Sequence, residues 1–264
     1  MFERQKTAIL LDELRRTAPL VHNLTNNVVQ NDTADAIAAI GATQATVHNV
    51  EEARELAAIS GAVSINLGTP TALWTTAARA AVETAVANGI PWVLDPVAVG
   101  LLPYRTQLAE EFLGHGPSVI KGNASEILAL AGENAKTHGA DSVHGTEEAL
   151  DAAQRLARQS GAIVAATGAV DIVTDGETTV RIENGHPMMP RVIGTGCMLT
   201  PLVAAFLAVA EAPLDAACAA IVCMGIAGEI AAEQAAGPGT MKPLLLDALF
   251  ALDGDILAKR IRLA

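Results

Sequence analysis

The chain has 264 residues, 51% of them hydrophobic but only 3% aromatic, and carries a formal net charge of −12. That length holds one large α/β domain or two small ones, and the aliphatic, alanine-rich composition favours closely packed helices and buried strands. The acidic balance, with no basic patch, argues against a nucleic-acid partner, so an anionic substrate needs helix ends, a metal ion or single basic residues to offset its charge.

From the N-terminus, Ile9, Leu10, Leu11 and Leu14 at helical spacing predict an amphipathic helix over 7–17, stopped by Pro19. Residues 20–24 read as a strand ending in the polar cluster Thr25-Asn26-Asn27. A helix from about Val28 to Ile40 closes at the C-cap glycine Gly41; 44–48 reads as a strand and 50–60 as a helix. The alternation then becomes regular. A strand over 62–67 ends at Gly68-Thr69-Pro70, a helix spans 71–88, and a strand over 91–94 ends in Asp95-Pro96. A strand over 118–120 leads to Lys121-Gly122-Asn123 and a helix to about Leu130, and 131–145 reads as a charged surface loop. A helix over 146–159 and a strand over 162–166, ending in Thr167-Gly168, precede a hairpin of 171–174 and 178–182 turned at Asp175-Gly176. Three helices, over about 195–210, 214–236 and 243–263, close the chain.

The strand runs are apolar throughout instead of alternating, as strands covered on both faces are. Strands interleaved with helices predict an α/β fold: a mainly parallel central sheet with helices on both faces, one domain over 1–264. The three cysteines, Cys197, Cys218 and Cys223, suit a reducing, cytoplasmic setting better than a disulfide framework, and the last two read as inert core thiols. The start, Met1 to Lys6, is polar, and the longest apolar stretches read as buried helices, so no membrane partner is expected.

Polar residues and glycines gather where strands end: at Asn23 to Asn26, Gly68-Thr69, Asp95, Lys121 to Asn123 and Thr167-Gly168. Ligands of open α/β sheets bind in a crevice along that edge. Asp95 ends an apolar strand, where a partly desolvated carboxylate needs a metal, a basic residue or a hydroxyl as partner. Asn123 and Glu126 have capping-box spacing, and Glu126 beside a phosphate also suits a water-mediated Mg²⁺. Gly194-Thr195-Gly196-Cys197 opens an apolar helix, whose free N–H groups suit a phosphate or oxyanion and favour a thiolate at Cys197. A plain helix start capped by Thr195 is the alternative. There is no P-loop and no dinucleotide glycine motif, and the six histidines lack metal-ligand spacing; His22 reads as packed within its strand.

Leu20-Val21-His22-Asn23-Leu24-Thr25-Asn26-Asn27-Val28-Val29, Leu94-Asp95-Pro96-Val97, Lys121-Gly122-Asn123-Ala124-Ser125-Glu126-Ile127, Gly194-Thr195-Gly196-Cys197 and Gly237-Pro238-Gly239 together resemble the hydroxyethylthiazole kinase family of the ribokinase-like superfamily. The resemblance implies transfer of the ATP γ-phosphoryl to the hydroxyl of 4-methyl-5-(2-hydroxyethyl)thiazole, with Mg²⁺, in thiamine salvage. It implies a homotrimer with active sites between subunits, the 23–46 segment of one chain facing Gly194 to Cys197 of another. Lys121, Asn123, Thr167 and Gly168 are then expected at ATP, Asp95 and Glu126 at the metal, and Asn26, Thr46, Gly68 and Gly194 on the acceptor side. Cys197 stands where related kinases place an aspartate facing the acceptor hydroxyl. Three departures bear on this: lysine at 121, threonine at 46 and Thr240-Met241 after Gly237-Pro238-Gly239 replace the family's usual arginine, methionine and Ser-Phe. Threonine at 46 keeps open another vitamin-precursor alcohol as acceptor; a nucleotide- or thiazole-binding regulator without turnover is the alternative of a different class.

Overall fold

The computed structural model describes residues 2–133 and 149–264, so most of the predicted 131–145 loop and the first residues of the 146–159 helix lie outside it. In chain order the elements are α1 (Arg4–Thr17), β1 (Leu20–Leu24), α2 (Gln30–Ile40), β2 (Thr43–Ala45), α3 (Val50–Ile59), β3 (Ala62–Asn66), α4 (Ala72–Ala87), β4 (Trp92–Asp95) and α5 (Pro103–Leu113). Then come β5 (Val119–Asn123), α6 (Ala124–Leu130), α7 (Leu150–Ser160), β6 (Ile163–Thr167), β7 (Asp171–Thr174), β8 (Thr179–Ile182), a 3₁₀ turn (Met189–Arg191), α8 (Thr195–Leu207), α9 (Pro213–Gln234), α10 (Pro238–Ala251) and α11 (Gly254–Arg260).

The eight strands of the described residues form one sheet in the order β2-β1-β3-β4-β5-β6-β7-β8. The first six are parallel, and β7 runs antiparallel to both β6 and β8. Because strand side chains alternate between faces, the apolar runs supply two cores at once. Val21, Val93, Val119 and Ile163 pack under α1, α2, α8, α9 and α10. Val63, Ile65, Leu94, Ile120 and Val164 pack under α3 to α7. The chain leaves β1 for β2 at one edge and returns past β1 to β3. That reversal of strand order is where a crevice opens at the carboxyl ends.

Two elements differ from the sequence reading. No periodicity had marked α5, because its inward residues Leu108, Ala109 and Phe112 share the helix with a polar stretch at 105–107; its Phe112 ring meets Trp92 edge-on, centroids 6.4 Å apart. The single closing helix expected over 243–263 is two. Leu252 is extended, and the Asp253 carboxylate accepts from the Ile256 N–H at 2.7 Å, capping a new helix. Among the described residues α9 alone is long and apolar enough to cross a membrane, and it is mostly buried inside the chain.

Candidate active site

The polar ends of β1, β3, β4 and β5 meet the first turn of α8. Asp95 closes β4 and is 1% exposed. Three hydrogen bonds reach its carboxylate, all on Oδ2: from Asn66 Nδ2 at 2.7 Å, Lys121 Nζ at 3.2 Å and Thr200 Oγ1 at 2.5 Å. One oxygen thereby carries all three bonds, and no hydrogen bond to the other is seen among the described residues. Lys121, 4% exposed, also donates to the Gly196 carbonyl at 3.0 Å. Burial opposes its charge, but Asp95, with Cys197 and Glu126, outweighs that and holds the ammonium's pKa above its ordinary value. The lysine expected at a nucleotide is therefore turned inward, tying β4, β5 and α8 together.

Gly194 is the N-cap of α8 at φ +100°, and a Cβ there would meet Val29 Cγ1 at 2.9 Å. Both the left-handed backbone and the crowding require glycine. Thr195 is not the cap; its hydroxyl donates to the Met189 and Val192 carbonyls, and its N–H goes to Val192. Of the four expected anion-binding residues, Gly196 and Cys197 are the ones inside the helix whose N–H groups meet no acceptor among the described residues. A Cβ on Gly196 would come no closer than 3.9 Å to Lys121 Nζ, so there is room beside that residue. Two amides without acceptors at a helix N-terminus are suited to an anion.

The Cys197 thiol is half-buried, 3.6 Å from Asn26 Nδ2. Burial first, and the Asp95 charge second, push its pKa up, against the pull of Lys121 and the amides of Asn66 and Asn26. The thiolate expected from the helix end is thus not favoured: desolvation and a neighbouring carboxylate win over the helix dipole. Asn26 and Cys197 touch within one chain, and Gly194 packs on α2 of that chain. At these residues the segments 23–46 and 194–197 therefore meet inside the protomer.

Glu126 forms the expected capping box. Its Oε2 accepts from the Asn123 N–H and Asn123 Oδ1 from the Glu126 N–H, both at 2.9 Å, while Oε1 takes the Ala98 N–H at 2.9 Å. Burial and the charge of Asp95 raise its pKa. Two expected nucleotide contacts at the end of β6 already have partners: the Thr167 hydroxyl donates to the Gly122 carbonyl at 3.3 Å, and the Gly168 N–H donates to Asp171 Oδ1 at 2.9 Å. Gly68 likewise gives its N–H to Asn66 Oδ1 at 3.0 Å. Thr46 stands apart, past the end of β2, its hydroxyl 3.4 Å from Gln44 Oε1. Sequence reasoning overlooked Asn66, Thr200 and Asp171. Asn66 sat within a predicted strand and Thr200 within an apolar helix, so neither carried a local signal.

Asp95 held on one oxygen, two amides at the start of α8 and a reversal of strand order give the sheet a polar crevice suited to a small anionic ligand. Pyridoxal kinase from Staphylococcus aureus, solved with pyridoxal, shares the fold at a TM-score of 0.62 and 17% identity, over 80% of this chain and 88% of that one. The chain belongs to the hydroxyethylthiazole kinase family, whose model matches residues 11–255. It is 51% identical over 253 residues to the hydroxyethylthiazole kinase of Cereibacter sphaeroides strain ATCC 17029, covering 96% of each chain. To that of Granulibacter bethesdensis it is 50% identical over 258 residues, covering 98% of this chain and 94% of the other. The solved structure of the hydroxyethylthiazole kinase protein from Pyrococcus horikoshii OT3 superposes with a TM-score of 0.91 at 40% identity, over 98% of both chains.

Proposed function

We propose that this protein transfers the γ-phosphoryl group of ATP to the hydroxyl of 4-methyl-5-(2-hydroxyethyl)thiazole in thiamine biosynthesis and salvage. The observation that carries the reading is the pair of open amides, Gly196 and Cys197, set against the Asp95–Lys121 pair in a chain of this family. Phosphoryl transfer asks a protein mainly for positioning and charge stabilisation. The two amides and the end of α8 stabilise the transferring oxygens. Asp95 turns its unbonded oxygen to the reacting centre, and Cys197, a protonated thiol, orients the acceptor hydroxyl. Thr167 and Gly168 border the nucleotide beyond β5 and β6. The eight strands of the described residues lie in one sheet, which supports a single catalytic domain.

The residues fit a divalent cation. Asp95 is buried and Glu126 half-buried, their like charges oppose each other, and the Lys121 cation attracts both, with Arg105 near Glu126. Among the described residues no three His, Cys, Asp or Glu side chains gather into a metal site. Mg²⁺ asks for less: one or two carboxylates, phosphate oxygens and water. Asp95 and Glu126, with Asn123 beside them, would hold it, and it would supply positive charge to the transferring group.

ADP release with a panel of alcohols tests the reading. Hydroxyethylthiazole should support turnover and the acceptor-free control should not. Turnover only with hydroxymethylpyrimidine or pyridoxal would reassign the acceptor, and no turnover with any would leave a binding protein. Thr46, where the family's usual methionine touches thiazole, should weaken thiazole binding by about 1–3 kcal/mol through the missing thioether contact. Thr46→Met should therefore lower KM for the thiazole, and a raised KM would mean the pocket is rebuilt for another ligand.

Assembly as a homotrimer with sites near subunit boundaries is supported by an apolar rim. Val28, Leu73 and Ile193 are exposed. In sequence they stand close to Asn27, whose N–H bonds Thr69 Oγ1 at 2.9 Å, and to Gly194, which packs on Val29. Exposed apolar side chains gathered at a rim mark an interaction surface. Sedimentation should show a trimer, and a fully active monomer would end that reading. The three cysteines are free, in keeping with a cytoplasmic enzyme.

A further inference from the structure

Asn66 ends β3, 1% exposed. Its side-chain amide makes three hydrogen bonds. Oδ1 accepts from Asn26 Nδ2 at 2.8 Å and from the Gly68 N–H at 3.0 Å, and Nδ2 donates to Asp95 Oδ2 at 2.7 Å. The orientation is forced by backbone donors that cannot turn over. Gly68 offers only an N–H to Asn66, and Val28 offers its N–H to Asn26 Oδ1 at 3.0 Å. Each asparagine must therefore put its oxygen toward that N–H and its NH₂ group the other way. The result is a chain of one polarity, from Val28 through Asn26 and Asn66 to the Asp95 carboxylate, and Asn26 Nδ2 also lies 3.6 Å from Cys197 Sγ.

We propose that Asn66 is a positioning residue for phosphoryl transfer, its amide fixing the acceptor side, Asn26 and Cys197, in register with Asp95 on the phosphoryl side. The inference rests on the kinase reading above. Gly68 belongs to the same device. A Cβ at Gly68 would lie 2.6–2.7 Å from Asn26 Nδ2, Cβ and Cγ, so glycine is what leaves Asn26 room to meet Asn66. Asn66→Asp keeps the shape and the acceptor oxygen but turns the donor into an oxygen facing a buried carboxylate. Gly68→Ala leaves Asn66 intact and displaces Asn26.

Both variants are compared with wild type for kcat, both KM values, ATP affinity by calorimetry and thermal midpoint. Misplacing reacting groups by about 1 Å costs on the order of 10²-fold, so kcat should fall about that much in each while ATP affinity holds. A purely structural role would instead lower the midpoint and weaken ATP binding together. Asn26→Ser and Asn66→Ser combined should cost no more than the worse single change, because they break one chain of bonds. Wild-type kcat in Asn66→Asp, or additive losses in the double variant, would overturn the assignment. If wild type phosphorylates another alcohol, the substrate reading fails alone and the variants are scored on that alcohol. A readout free of turnover completes the test. The side-chain NH₂ protons of Asn26 and Asn66 should exchange slowly in wild type and quickly in Gly68→Ala, and equal exchange in both would also overturn it.

Discussion

Residue by residue, the site separates groups that react from groups that hold them. Asp95 was visible in the sequence as a carboxylate closing an apolar strand, but its three partners come from 26 to 105 residues away and had no local mark. Cys197 shows how burial overrules a helix end. With its thiol pKa pushed up by desolvation and by Asp95, it stays protonated at neutral pH and orients a hydroxyl instead of removing its proton. General-base assistance is typically worth about 10²–10⁴-fold, so losing a group that only orients should cost less than that range. Cys197→Ala should therefore lower kcat by about tenfold and leave ATP affinity intact. Cys197→Asp supplies a true acceptor at nearly the same place and should match wild type at high pH. Its activity should decline as pH falls, because the burial and neighbouring charge that raise the thiol would raise the new carboxyl too. Parallel pH–kcat profiles check this, and a flat profile for Cys197→Asp would count against the placement of Cys197 at the hydroxyl.

At the scale of elements, most of the fold was legible because buried parallel strands and capped helices write themselves into composition. The strand over 20–24 was read to the residue, and Asn123-Ala124-Ser125-Glu126 announced a capping box that the structure contains. What was not legible depended on context: α5 presents a mixed surface, and the break before α11 hangs on one aspartate turned to cap. The α8 entry was half legible. Its glycines pointed to an anion site, but only the structure separates their duties, Gly194 making the turn and Gly196 leaving the space. The two should respond differently to a methyl group. Gly194→Ala forces a left-handed residue against Val29 and should destabilise the protein by about 1–3 kcal/mol while crippling turnover. Gly196→Ala meets nothing closer than 3.9 Å, so urea unfolding should show little change while KM for ATP rises as the methyl group intrudes on the anion. Equal stability losses in the two variants would show that this division of duties is wrong.

For the whole molecule, the half-buried Asp171 and the buried His22 set opposing dependences of stability on pH. Asp171, at the start of β7, is pushed up from 3.8 to about 7 by burial, against the Gly168 N–H and the Lys121 charge. Between those values the folded protein keeps a proton that the unfolded chain has released, so stability falls as pH rises through the window. His22, inside β1, is pushed down from 6.5 to about 4, chiefly by burial. There the unfolded chain holds the extra proton, and stability falls as pH drops from about 6.5 toward 4. Each contribution approaches about 1.4 kcal/mol per pH unit where its window is fully open. Across pH 4 to 6.5 the two nearly cancel, and from 6.5 to 7 only Asp171 acts. Glu126, also raised by burial, adds to the Asp171 slope but is common to every variant and drops out of differences. Asp171→Asn should thus unmask the His22 contribution, making stability climb with pH between 4 and 6.5. His22→Gln should do the reverse, with stability declining more steeply with rising pH than in wild type, whatever the absolute cost of the substitution. Urea unfolding at half-unit steps from pH 4 to 8 reads both slopes. Two variants that run parallel to wild type across that range would show that neither group titrates as its burial requires.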